Sequence, residues 1–316
     1  MRIRRLHFSS LPILYNSREN GINMRKSRRD KKRKYIGDIF RVIGLVIALS
    51  VLLYPTVSNY LYEKNCSRVI SSYDEHAVQL SEQEKKEMLE EARQYNQELL
   101  GNIDLLDPFS SVKKEADERY QGLLDTNGAG MMGYIRIPKI DVELPIYHGT
   151  EERVLQSGAG HFEGTSLPVG GESTHAVLTG HRGLPSKLLF TDLDEMETGD
   201  IFYIKVLGET LAYQVDQILT VLPEDTKELS IVQGKDYVTL VTCTPYAINT
   251  HRLLIRGIRI PYEEAIKQVP DEKVTPKLPF QVKLLMFAII ILILIFVFYL
   301  IGKRMRKTTK GRRERK

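Results

Sequence analysis

The chain has 316 residues, a net charge of +5 and only two cysteines, Cys66 and Cys243. Its basicity sits in its two ends: residues 1–35 carry twelve Lys or Arg against two acids, residues 303–316 carry nine against one, and residues 36–302 stand at −13. Nucleic-acid binding is therefore not the reading of the basic clusters, because an apolar segment beside residues 25–34 explains them more simply. The sequence also lacks a His-Glu-x-x-His or Cys-x-x-Cys spacing, a Gly-x-Ser-x-Gly elbow and a phosphate-cradling glycine loop, so no metal, cofactor or serine nucleophile is expected.

In chain order, residues 1–35 read as a basic tail, with Met24 directly ahead of the densest cluster as an alternative start. Residues 36–57 are predicted to be a transmembrane anchor, unbroken in apolar character from Val42 to Tyr54, with Asp38 and Arg41 near its entry. No small-x-small cleavage site follows Tyr54, which favours an uncleaved anchor over a secretory leader. The surroundings of Cys66 likewise lack the apolar and small residues of a lipoprotein cleavage site.

Residues 58–130 read as a helical leader. Ser81-Glu82-Gln83-Glu84 has the spacing of a capping box and opens a helix to Leu100, and a second helical stretch is expected near Val112 to Leu124. Between them lies Leu105-Leu106-Asp107-Pro108-Phe109, where Asp-Pro signals an Asx-type turn with Phe109 packed locally.

From residue 131 to residue 262 the texture changes to short apolar runs punctuated by Gly and Pro: Tyr134–Ile137, Ile140–Tyr147, His175–Leu178, Ile201–Val206, Leu211–Val221, Tyr237–Thr242 and Leu253–Ile260. Runs at this spacing predict a mainly β domain, either a closed barrel or a sandwich. A linker over 263–281 leads to a predicted transmembrane helix at 282–302, whose Leu284–Ile301 stretch holds eighteen uncharged apolar or aromatic residues. The positive-inside rule then places the tails 1–35 and 303–316 in the cytoplasm, the acidic middle outside, and the lipid bilayer as a partner.

The chemistry concentrates at Thr239-Leu240-Val241-Thr242-Cys243, where a β-branched run delivers a thiol at a strand end. A free thiol is mostly protonated at neutral pH and needs a base and a charge-stabilising partner. His181, in Leu178-Thr179-Gly180-His181-Arg182-Gly183, sits where a strand runs into a loop, and Arg252 opens the strand after Cys243, across a loop containing Pro245 and Asn249. His148, His161, His175 and His251 compete for the role of base, and Arg256 and Arg259 for that of cation. Two alternatives for Cys243 are a structural thiol in the core and a disulfide to Cys66.

Thr-Leu-x-Thr-Cys, with an arginine on the next strand and Thr-Gly-His some sixty residues upstream, resembles the pattern of sortases, the cysteine transpeptidases of Gram-positive cell surfaces. The resemblance runs from about Met131 to Pro261 and implies an eight-stranded closed barrel, with Cys243 as nucleophile, His181 as general acid and base, and Arg252 as the stabiliser of the oxyanion or substrate. In the pilus-building class C members an Asp-Pro-aromatic tripeptide forms a lid, which here implies Asp107, Pro108 and Phe109, and a second membrane span follows the catalytic domain. The substrates so implied are pilin subunits that carry a Leu-Pro-x-Thr-Gly type sorting signal and an acceptor lysine. The alternatives are a housekeeping sortase that uses a cell-wall amine, or a membrane-tethered binding module on the same barrel.

Overall fold

The computed structural model describes residues 13–99, 107–109 and 117–313. Eight strands close into a barrel: β1 Met131–Ile137, β2 Val142–His148, β3 Ala159–His161, β4 Thr174–Thr179, β5 Ile201–Val206, β6 Glu209–Val221, β7 Asp236–Thr244 and β8 His251–Ile260. Around the barrel the order is β1-β2-β3-β4-β7-β8-β6-β5. The β2–β3 and β4–β7 pairs are parallel and the others antiparallel. Among the described residues six α-helices accompany the strands: α1 Ile13–Gln79, α2 Glu82–Glu98, α3 Glu118–Gly122, α4 Glu152–Leu155, α5 Tyr262–Gln268 and α6 Phe280–Arg313.

The central pair β4 and β7 explains why these strands read as continuous apolar runs rather than alternating ones. Both are buried on both faces, as parallel strands covered on two sides generally are. Ala176, Leu178, Val238 and Leu240 point into the main core. Val177 and Val241 point the other way, into a separate cluster with Phe162, Leu229 and Leu254. Because side chains alternate along a strand, Cys243 shares this second face with Val241, and Arg252 shares it with Leu254.

The leader belongs to the same compact unit as the barrel, residues 55–280. Helix α2 opens with the expected capping box, Ser81 with Glu84. It buries Leu89, Ala92, Tyr95 and Asn96, a helical stripe. The Asn96 side chain acts as a backbone partner: its Nδ2–H donates to the Leu167 carbonyl at 3.1 Å and its Oδ1 accepts from the Leu167 N–H at 2.7 Å. The late part of α1 is tied down through Tyr73, whose hydroxyl donates to the Met132 carbonyl at 3.1 Å and accepts from the Leu207 N–H at 3.0 Å.

Two helical stretches are long and apolar enough to cross a bilayer, Ile39–Gln79 within α1 and Val282–Tyr299 within α6. The first has 41 residues, about twice what ~30 Å of hydrocarbon needs at ~1.5 Å per residue. Its later part is occupied with the barrel from Asn59 onward, where Asn59 Oδ1 accepts from the Leu188 N–H at 2.8 Å. Only the earlier part is therefore available to a bilayer.

Three local differences from the sequence reading have simple causes. Strand β2 starts at Val142 rather than Ile140 because Pro138–Ile140 form a 3-10 turn closed by Asp141 at φ +51°. Of the second helical stretch, only Glu118–Gly122 is helical among the described residues, capped by Asp117, and residues 112–116 lie outside them. The stretch expected as a linker begins with helix α5, and Asp271 is buried against Arg136 of β1 and Lys205 of β5.

Candidate active site

Strand register brings the cysteine and the arginine together. Cys243, one residue from the end of β7, is directly paired with Arg252, the second residue of β8. Between them the chain turns through Pro245 to Asn249, with Ala247 at φ +62° and Asn249 at φ +61°, the left-handed conformation that Asn tolerates better than most residues.

The histidine arrives on the other side of the cysteine. Strand β4 runs parallel to β7, with Thr179 opposite Val241. The pairing continues one step further, as the Gly180 N–H donates to the Val241 carbonyl at 3.0 Å and the Thr242 hydroxyl to the Gly180 carbonyl at 2.7 Å. Gly180 is required by close approach: a Cβ there would lie 2.6 Å from the Phe190 ring. The chain thus passes flush over Phe190 and delivers His181 beside the end of β7.

Asp107 and Phe109 lie against this constellation. The Arg252 Nε–H donates to Asp107 Oδ1 at 2.9 Å and Nη2–H to Oδ2 at 2.6 Å, a bidentate fork. The remaining Arg252 nitrogen, Nη1, donates to the carbonyls of Asn249 and His251. Phe109 lies with its centroid 5.0 Å from the Arg252 guanidinium carbon and 6.0 Å from the His181 ring centre, and packs on the Phe162, Val177, Val241 and Leu254 cluster. The expected Asx-type turn is present as well, since the Phe109 N–H donates to Asp107 Oδ1 at 3.3 Å. The expectation of local packing for Phe109 gives way to long-range packing because the outer face of β4, β7 and β8 offers an apolar seat.

Cys243 is 9% exposed. Burial pushes its thiol up, the Arg252 cation pulls it down, and the Asp107 carboxylate pushes it up again. A thiol, a guanidinium and an imidazole converging on one strand end can carry out nucleophilic acyl substitution. In that chemistry the cation stabilises developing negative charge and the imidazole moves the proton.

The competing residues are engaged elsewhere. His148 contacts the carbonyls of Gly130 and Leu123, His161 the Tyr120 hydroxyl and the Ser166 carbonyl, and His175 the Ser230 carbonyl and the Thr239 hydroxyl. Burial holds the His161 and His175 imidazoles down to about 4. His251 pairs across from Thr244 and contacts Thr250. Arg256 forks onto Asp216 and Arg259 lies over the Tyr213 ring. Cys66 and Cys243 are both free thiols, so the disulfide alternative does not hold.

Two residues at the site carry no signal in the sequence. Glu152, in the single-turn helix α4, receives the His181 Nε2–H on its Oε2 at 3.1 Å. Arg182 ties the histidine loop to the cysteine strand by donating from Nη1 to the Thr244 hydroxyl at 3.2 Å, and it also pairs with Asp194.

A family model described as the sortase domain matches residues 135–260. The crystal structure of Streptococcus pneumoniae sortase C, a protein described for its catalysis and pilin substrate specificity, is 51% identical. It superposes with a TM-score of 0.57 over 62% of this chain and 97% of that one. A pilus-related sortase C of Group B Streptococcus is 46% identical with a TM-score of 0.56, covering 60% of this chain and 96% of that one. Among curated proteins, Sortase A of Streptococcus agalactiae serotype III (strain NEM316) is 31% identical over 154 residues, 47% of this chain and 61% of the relative. The chain thus spans less than two thirds of that curated relative's length.

Proposed function

The chain belongs to the sortase family, and from that premise we propose that it is a cysteine transpeptidase of the pilus-assembly class, tethered to a membrane by a helix on each side of its barrel. The observation that carries the class is the bidentate contact of Asp107 with Arg252 while Phe109 lies on the face that holds Cys243. The similarity to solved sortase C structures described by pilin specificity and pilus relation supports the same class.

In this reading the Cys243 thiolate attacks the threonine carbonyl of a Leu-Pro-x-Thr-Gly type sorting signal once the lid has left. Arg252, freed from Asp107, holds the negative oxygen of the tetrahedral intermediate with a planar fork that stays cationic throughout. His181 as imidazolium protonates the departing glycine amine, and a thioester remains on Cys243. The lysine amine of the next pilin subunit then attacks the thioester, His181 takes its proton, and the thiolate is regenerated with an isopeptide bond as product. The basic tails at 1–35 and 303–316 support a topology with both termini cytoplasmic and the barrel outside.

The test is acceptor choice. The full chain in detergent, carrying Phe109→Ala, is given a sorting-signal peptide with a lysine-bearing pilin peptide and a cell-wall glycine or diaminopimelate amine in competition. Preferential isopeptide product at the lysine supports the pilus class. Preferential transfer to the cell-wall amine would favour the housekeeping alternative.

A further inference from the structure

We infer that the carboxylate of Glu152 is the docking group for the incoming acceptor as a primary ammonium, an assignment that rests on the transpeptidase reading above. The inference starts from where this carboxylate sits and how little of it is used. Its Oε2 accepts from His181 Nε2–H at 3.1 Å and its Oε1 from Gln156 Nε2–H at 2.7 Å. A carboxylate offers about four acceptor positions, so two remain. The side chain is 69% exposed whereas His181 is only 19% exposed. Glu152 is therefore the more accessible member of the pair.

The surroundings keep that carboxylate charged and in place. Gln156 first, and then His181, hold it below the usual carboxylate range. Gln156 is itself fixed, because Lys187 Nζ–H donates to its backbone and side-chain oxygens at 2.5 Å and 3.1 Å. Neighbouring Glu151 is occupied by Arg153 at 2.6 Å. A carboxylate only accepts, so the imidazole holds a hydrogen on Nε2 toward Glu152.

The chemistry needs such a group. A lysine side chain arrives as R–NH3+, and must lose one proton to water to become the nucleophile. The free amine then forms the C–N bond as the C–S bond to Cys243 breaks; its second proton passes to neutral His181, and the electron pair of the broken bond leaves on the Cys243 sulfur. A fixed anion beside the base concentrates cationic acceptors there over uncharged ones, and because it is exposed its effect is screened by salt.

The experiment partitions one acyl-enzyme between two nucleophiles. The full chain in detergent, with Phe109→Ala, is loaded with a sorting-signal peptide, and the acyl group is divided between an N-acetyl-lysine amide peptide and hydroxylamine, which is uncharged near neutral pH. Both nucleophiles consume the same thioester, so their ratio cancels any change in acyl-enzyme formation, and the salt dependence separates a charge effect from damage to His181. Glu152→Gln is expected to lower the lysine-to-hydroxylamine ratio about fivefold, in line with loss of one exposed charge pair, and Glu152→Asp to restore most of it. Added salt is expected to erode the ratio in the parent but not in Glu152→Gln. Equal slowing of both products, with the ratio unchanged, would show that Glu152 only orients His181 and would overturn the inference. Failure of the parent to form any acyl-enzyme would overturn the transpeptidase reading and this inference with it.

Discussion

Arg252 and Asp107 face each other through two hydrogen bonds, 2.9 Å and 2.6 Å, although they stand 145 positions apart in the chain. With Phe109 seated beside them, this contact occupies the cation that an acyl-transfer intermediate would need. Asp107→Ala is therefore expected to raise the rate of iodoacetamide labelling at Cys243 by about tenfold, corresponding to loss of one charge-assisted fork worth about 1.5 kcal/mol, and Phe109→Ala to raise it by removing the ring that packs beside the site while the fork stays. Equal rates in parent and variants would remove the lid idea.

The same pair sets the acidity of the thiol in opposite directions. Burial is the largest influence and raises it, Arg252 lowers it and Asp107 raises it. Asp107→Asn removes a negative neighbour, which makes the thiolate easier to form, so the midpoint of labelling against pH moves toward acid. Arg252→Ala removes the cation, so the midpoint moves toward alkali. Midpoints are read separately from plateau rates, which isolates charge from access. Shifts of the opposite sign would contradict the electrostatic account.

Arg252→Lys keeps the charge but loses the planar fork. Turnover is expected to fall by about one to two orders of magnitude, less than the ~10²–10³ cost of removing an oxyanion donor outright because the charge is kept. Near-parent kcat in that variant would argue against the role given to Arg252.

Gly180→Ala places a methyl group 2.6 Å from the Phe190 ring. Overpacking of this kind costs about 1–3 kcal/mol, and here it also displaces the segment that carries His181. A lower Tm together with a lower kcat is expected. A change in Tm alone would mean that His181 is held by contacts other than this close approach.

Cys66 is 2% exposed, on the face of α1 that packs into the main core, whereas Cys243 lies on the other face of its sheet with Val241. After Phe109→Ala, one thiol is expected to titrate in the native protein and a second only in denaturant. Cys66→Ala is expected to leave acyl-enzyme formation intact. Loss of the adduct in Cys66→Ala would require a role for this thiol that its position does not suggest.

How much of this was legible in the sequence follows from local chemistry. The capping box at Ser81 and Glu84, the run that ends in Cys243 and the strand that opens with Arg252 all have short-range causes, and the fold contains them. The apolar runs left a closed barrel or a sandwich open, and the closed barrel was readable only through the resemblance that the ordered motifs carry. Strand β3, only three residues long, is too short to show alternation. The partnership of Glu152 with His181 depends on a four-residue helix and a contact across 29 positions, which no periodicity encodes. The seat of Phe109 has no short-range cause either, because its apolar floor is assembled from β4, β7 and β8 only when the barrel closes, and only the lid implied by the resemblance pointed to it.

The most direct measurement is intact mass spectrometry of the full chain bearing Phe109→Ala, incubated with a Leu-Pro-x-Thr-Gly peptide and compared with the same protein carrying Cys243→Ala. The account predicts a mass increase equal to the peptide truncated after threonine, present only when Cys243 is present. No adduct on a Cys243 that titrates freely would contradict it and leave the barrel as a binding module.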